Sequence, residues 1–258
     1  LNIGLYPASN PVSLYLGARP LGPEKSNNYS LGFPLTPTPD FSMTVDAYKI
    51  KLTDQIYATT LIDVTPAIES AMIAAGIVGA SSIDQVNYFQ NALDTTVDGV
   101  DFVASYRLYW LNEKPTNFTA AFNYNRSKID SINVANVSFN AVSRYNFHNN
   151  SPKWRGNIAA QQDFGPVSLL ARVNLFGPYS RQTTRAGNAI QRFRAQAMTD
   201  LEASVALGDG YSLSLGVRNL FGHYPAVNRI DDTNGRTYTD GPVDWQGGYY
   251  YGKIAFTF

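Results

Sequence analysis

The sequence contains no cysteine, which excludes a disulfide framework and any thiolate-ligated metal. It has only two histidines, His148 and His223, and neither has a second ligand at metal spacing. Charge is sparse at 16% of residues, and the 20 basic and 20 acidic side chains cancel, so no overall field draws nucleic acid. No apolar run reaches the ~18 residues of a membrane helix. Mean hydropathy is −0.20, a value shared by soluble domains and by membrane strands that show lipid only every second side chain. No Ser, His and acidic residues stand in a nucleophile setting, and Gly208-Asp209-Gly210 lacks the third glycine and following helix of a phosphate cradle. No enzyme chemistry and no cofactor are expected. The chain opens on Leu1 with no signal-peptide pattern and reads as processed or incomplete at its amino end.

What the chain has in abundance is aromatic residues, 13% of the total with 17 Tyr. That is the material of an interfacial girdle. At the carboxyl end Phe258, Phe256, Ile254, Gly252 and Tyr250 alternate with Thr257, Ala255, Lys253 and Tyr251. A strand puts these two sets on opposite faces.

The pattern recurs along the chain, in Tyr29 to Leu35, Phe41 to Ala47, Val100 to Trp110, Phe118 to Tyr124, more weakly in 153–164, and in Val167 to Leu175, Leu201 to Leu207 and Tyr211 to Val217. Nine strands are expected from Tyr29 onward, or ten if Val12–Gly17 is another. Past Ala47 the apolar set shifts to Tyr48, Ile50 and Leu52, which predicts either a bulge or a strand leaving the lipid band. Residues 1–27 read as a loop-rich lead-in, and 28–258 as strand hairpins.

Short turns near 38, 114, 165 and 209 alternate with long connections after Ile56, Arg126, Gly177 and Gly222. In an up-and-down sheet all long loops then share one rim and all short turns the other, as in outer-membrane barrels. A short helix over 66–77, capped by Thr65 and opened by Pro66, is expected within the first long connection. Arg107, Arg172, Asp200, Glu202 and Arg218 all lie opposite the apolar set, toward a polar lumen. The fold class is therefore all-β: an antiparallel up-and-down transmembrane barrel, or a large piece of one.

Four stretches carry a family resemblance. They are Leu21-Gly22-Pro23-Glu24-Lys25-Ser26 before Asn28-Tyr29, Asn91 with Asp98-Gly99-Val100-Asp101, Val217-Arg218-Asn219-Leu220-Phe221, and the terminal Ile254, Phe256 and Phe258. In this order the chain resembles the carboxyl-terminal barrel part of TonB-dependent receptors. The resemblance implies an outer-membrane location and energy-coupled uptake of a scarce ligand of the siderophore-iron, vitamin or glycan class. It implies as partners a plug domain or remaining barrel strands in the same or another chain, and an inner-membrane TonB-type complex acting through the plug. Membrane lipid and lipopolysaccharide would surround the wall. The family's barrel resembles a 22-strand structure filled by a plug, and this chain carries neither the full strand number nor the plug.

Tyr179, Arg181, Arg185 and Arg192, with Arg194 beside them, are the candidate ligand-binding residues, in one long loop. They suit an anionic ligand, and a solvated loop with local ion pairs is the plain alternative. Tyr249, Tyr250 and Tyr251 read as a membrane-interface girdle, or as a stacking surface. Asp231-Asp232-Thr233-Asn234-Gly235 misses the EF-hand order and reads as an Asn-Gly turn. Rival readings are a passive porin or adhesin barrel, a hydrolase built on His148 or His223 with a loop serine, and a soluble sandwich.

Overall fold

The computed structural model describes residues 2–111, 114–134, 139–183, 189–230, 238–239 and 241–257. Its strands are β1 (Ile3–Tyr6), β2 (Lys25–Thr38), β3 (Phe41–Ala58), β4 (Ile62–Asp63), β5 (Gln85–Leu111), β6 (Lys114–Ile132), β7 (Trp154–Phe164), β8 (Val167–Phe176), β9 (Tyr179–Gln182), β10 (Ile190–Phe193), β11 (Gln196–Gly208), β12 (Tyr211–Arg218) and β13 (Tyr249–Phe256). The helices are α1 (Pro11–Tyr15), α2 (Pro66–Ala74) and α3 (Ala141–Asn149). Nine strands pair in the order β13-β12-β11-β8-β7-β6-β5-β3-β2, the up-and-down arrangement expected from the sequence. Among the described residues nothing pairs β13 with β2, so the sheet is an open piece of a barrel.

The chain divides into two compact units, one of residues 1–29, 49–98 and 127–148, the other of 30–48, 99–126 and 149–258. In the second unit the registers decide which residues share a face, because directly paired residues project to the same side. One face carries the row Ile254, Leu213, Val205, Val167, Phe164 and the row Tyr250, Val217, Leu201, Ala171, Ala160, Phe118. The other carries Lys253, Ser214, Ser204, Ser168, Asp163 and Tyr251, Gly216, Glu202, Leu170, Gln161. Arg172 pairs Asp200 and Arg218 pairs Tyr249, both on this polar face. The apolar rows are bare: Leu215 is 62% exposed, Ile254 75% and Tyr250 82%. A continuous greasy face of this kind is stable against hydrocarbon rather than water.

Strand β7 shows the dimension of that face. Its 11 residues run from Trp154 to Phe164, the ~9–11 residues that a tilted strand needs to cross a bilayer. Trp154 stacks on Phe122 with centroids 5.9 Å apart, and Tyr211 lies 4.5 Å from Phe256 by the short turn at 209–210. That turn needs left-handed backbone at Gly208, Asp209 and Gly210, with φ of 89°, 48° and 79°, which the two glycines adopt without a steric penalty.

One aromatic expectation is corrected. Of the three consecutive tyrosines only Tyr250 faces the apolar side. Tyr249 and Tyr251 lie on the polar face, under the Arg218 guanidinium at 5.7 and 5.8 Å. The Tyr251 hydroxyl donates to Glu202 at 2.6 Å, and its ring covers Gly216, where a β-carbon would collide with it. The shift after Ala47 falls where β3, uninterrupted, passes from the second unit into the first. Tyr48 stays on the face of Asp46, covering Gly99 and accepting a hydrogen bond from Asn123 at 3.2 Å. An aromatic ring over a bare glycine fills the polar face at both places.

The first unit is held by ordinary apolar cores. Ala8, Val12, Ala18, Met72, Ala80, Val86 and Tyr88 form one, and Ala92, Leu93 and Phe139 with Tyr57, Ile129 and Phe147 the other. The expected strand over Val12–Gly17 is instead α1, because the Asn10 side chain caps Val12 and Pro11 opens the helix. Helix α2 begins as expected, with the Thr65 hydroxyl accepting from Ile68. It stops at Ala74 because Gly76 turns left-handed at φ 76°, and Ile77 bonds back to Met72. Within the polar connection expected after Arg126, β6 continues to Ile132 and α3 follows.

Asn91, a motif residue, is the lashing point of this unit. Its side chain accepts from the Gly22 amide at 2.8 Å and donates to the carbonyls of Gly22 at 3.0 Å and Asp54 at 2.6 Å. Glu24 accepts from the Ile56 amide beside it. The resemblance motifs therefore mark structural ties here. Phe258 and the 231–235 stretch lie outside the described residues.

Replacing Leu215 by Arg is expected to destabilise the sheet by about 2–4 kcal/mol, the depth-dependent range for a lipid-facing cation. Ser212→Arg, on the polar face, should change stability by less than about 1 kcal/mol. Urea titration of folding into lipid vesicles measures both. Asn91→Ala leaves three backbone groups without their partner and should weaken the first unit by about 1–3 kcal/mol. Faster amide exchange confined to residues 19–24 and 54–56 would report it.

Candidate ligand-contact surface at the loop edge

The third long connection, expected to be irregular, contains the hairpin β9–β10. Tyr179 pairs Phe193, Ser180 pairs Arg192, Arg181 pairs Gln191 and Gln182 pairs Ile190. Period two then puts Arg181 on the face of Tyr179, Gln191 and Phe193, and Arg192 on the opposite one with Ser180. The arginines that looked like one cluster in sequence are thus split across a two-stranded ribbon. Arg185 lies outside the described residues. Tyr179, proposed as a ligand contact, is only 9% exposed and stacks on Phe193 with centroids 4.3 Å apart. It is the pillar of the hairpin before it is anything else.

Two hollows adjoin at Tyr179, both within the second unit. The first, of about 550 Å³, is lined by Asn125, Asn150, Ser151, Arg155, Phe176 and Gly241 together with Tyr179. The second, of about 540 Å³, is lined by Asn149, Ser151, Lys153, Tyr179, Ser180, Arg192, Phe193 and Arg194. Ser151 and Tyr179 belong to both. Four cations line the pair, and no carboxylate is among the described lining residues.

The segment 149–153 leads into β7, Phe176 ends β8 and the hairpin follows β8, so the hollows sit where strands meet the long loops. Asn123, Arg155, Phe176 and Gln196 form one register row of the polar face, which places the first hollow on the lumen side. Asp200, the nearest polar-face acid along β11, is engaged elsewhere, accepting from Asn174 and from the Asn219 amide, each at 2.9 Å.

The walls are tied together. Gln191 donates to the Val227 carbonyl at 2.8 Å and accepts from the Arg229 amide at 3.0 Å. One side chain thereby fastens the hairpin to the final long connection. A β-carbon on Gly241 would collide with the Tyr179 hydroxyl, so the connection passes close over the pillar there. Sequence reading missed Lys153, Arg155 and the amides of 149–150, which stand some 25 or more positions before the arginine-rich loop and are brought to it by the β7–β8 hairpin. His148 donates from Nδ1 to the Ser127 carbonyl at 3.1 Å in the first unit, while His223 is bonded through its backbone to Asn219 in the second.

A family model for the β-barrel of TonB dependent receptor-like proteins matches residues 3–220. Comparison with curated proteins finds no match. Among solved structures, the copper transporter OprC is similar with a TM-score of 0.60 at 16% identity, over 93% of this chain and 32% of its own. A mutant of the ferric enterobactin receptor PfeA from Pseudomonas aeruginosa gives 0.57 at 16% identity, over 91% and 31%. The FrpB iron transporter from Neisseria meningitidis gives 0.59 at 13%, over 90% and 31%. Likeness at such identities concerns the fold, and the chain spans about a third of the length of these structures. The family match is broader in kind: it runs from β1 to the end of β12 and takes in all but one of the barrel strands. The chain belongs to the β-barrel family of TonB-dependent receptors.

Proposed function

We propose that this chain supplies wall and ligand-facing mouth to an outer-membrane transporter that takes up a scarce anionic chelate, of the siderophore-iron class. The two adjoining hollows carry the reading: Lys153, Arg155, Arg192 and Arg194 converge on them without a carboxylate among the described lining residues, where strands meet the long loops. Guanidinium and ammonium groups there attract and orient an anion, and Phe176 and Phe193 give it apolar surface. Arg181 belongs to the same connection and would meet the ligand from the hairpin's other side. Energy coupling would come from an inner-membrane TonB-type complex acting on a plug, supplied by the same or a partner chain. In this scheme the sheet does no bond chemistry. The printed names of similar structures, two of them iron or ferric-chelate receptors, agree with this ligand class.

The test is binding and uptake of ferric citrate and ferric catecholate chelates by cells carrying the protein. Lys153→Ala, Arg192→Ala and Arg194→Ala together should weaken binding about ten-fold or more, at roughly half to one kcal/mol for each partly exposed cation. Lys253→Ala, on the polar face far along β13, serves as the control. Uptake should stop when the proton gradient is collapsed. Unchanged chelate affinity in the triple variant would sink the anionic assignment, and uptake without a gradient would make the protein a passive pore.

A further inference from the structure

The apolar face carries one anomaly. Its row Gly252, Leu215, Ala203, Leu169 ends on Gln162 and Thr116, two polar residues on the side otherwise given to hydrocarbon. Both are nearly sealed, at 8% and 5% exposure. The Trp110 indole donates to the Thr116 hydroxyl, which donates to the Gln162 side-chain oxygen, and the Gln162 amide reaches the Asp163 carbonyl at 3.0 Å. The island is satisfied internally, as polar groups in lipid must be.

Beside it the wall is hollow. A groove of about 610 Å³ runs from Trp110 and Phe164 to Tyr250, over the small residues Ala160, Ala171 and Ala203. Lys114 stands at its turn-side end. It lies two residues before Thr116 on β6, hence on the same face, and its carbonyl accepts from Gln162. A lysine at the edge of the hydrocarbon extends its ammonium into the headgroup layer.

We infer that this groove seats one anionic phospholipid of the leaflet on the short-turn side, its acyl chain over Ala160, Ala171 and Ala203 and its phosphate at Lys114. The occupant follows from the medium and from charge. The greasy rows face hydrocarbon, the groove floor offers no unpaired polar group, and the cation marks the end at which a negative headgroup belongs. The inference needs the membrane orientation of the sheet and is independent of the ligand proposed above.

The test is native mass spectrometry of the purified protein in detergent, with equal amounts of phosphatidylglycerol and phosphatidylcholine. The wild type should retain one phosphatidylglycerol in preference. Lys114→Ala should reduce that preference about five-fold, the weight of one cation at a lipid surface. Ala203→Phe, which fills the groove, should abolish retention, whereas Ala120→Phe elsewhere on the apolar face should not. Folding of each variant is checked by its mobility on unboiled gels, and Lys114→Ala, at the rim, keeps the question open to refutation even if Ala203→Phe fails to fold. Equal retention of the two lipids, insensitivity to Lys114→Ala, or equal loss in Ala120→Phe would overturn the inference. So would a change of oligomeric state in Ala203→Phe, which would give the groove to a second copy of the chain.

Discussion

Everything in the second unit follows from one constraint: a strand crossing hydrocarbon must place each backbone amide in a ladder and keep its charges on one side. Once the ladder registers are set, the sides of all strands are set with them, because paired residues project together. Arg172 against Asp200, and Glu202 beneath Tyr251, are possible only because Leu201, Ala203 and Leu215 take the other side. Slipping any one strand by a residue would exchange the faces. The face that solvent-exposed proteins hide is here the bare one, and the polar face does the packing, with tyrosine rings laid over glycines.

The first unit obeys different rules. Its stability comes from buried Met72, Val86, Tyr88, Leu93 and Phe139, and from the hydrogen bonds of Asn91. Strands β3, β5 and β6 contribute residues to both units and are longer than a bilayer requires. β5 has 27 residues and β6 has 19, against the ~9–11 of a membrane crossing. Residues of these strands that belong to the first unit, such as Val86, Tyr88 and Leu93, are buried in its compact cores.

How legible this was depended on the physics of each segment. The nine barrel strands could be read because lipid enforces period two, and the loop asymmetry because an up-and-down sheet leaves no other choice. Helix α2 could be read because Thr65 and Pro66 announce it. The strand expected over Val12–Gly17 failed because Asn10 and Pro11 outweigh a short apolar alternation. Helix α3 had a local signal that was overlooked, Asn140, whose side chain accepts from the Ser143 amide, whereas the β9–β10 hairpin is held by contacts with a distant segment, such as Gln191 on residues 227–229, of which local sequence holds no trace. Half of the cationic lining was visible as an arginine-rich loop. Lys153 and Arg155 were not, since only the register of β7 and β8 brings them there.

The bond pair of Gln191 also bears on how such a mouth diversifies. Because the Gln191 side chain joins the hairpin to residues 227–229, neither stretch is a free-standing cassette. Transplanting the hairpin into a relative would carry its geometry along only if the partner stretch travelled with it, and an insertion between 223 and 229 would be transmitted to Arg192 without touching it. Diversification of this mouth is therefore constrained to move two remote stretches of the gene in concert.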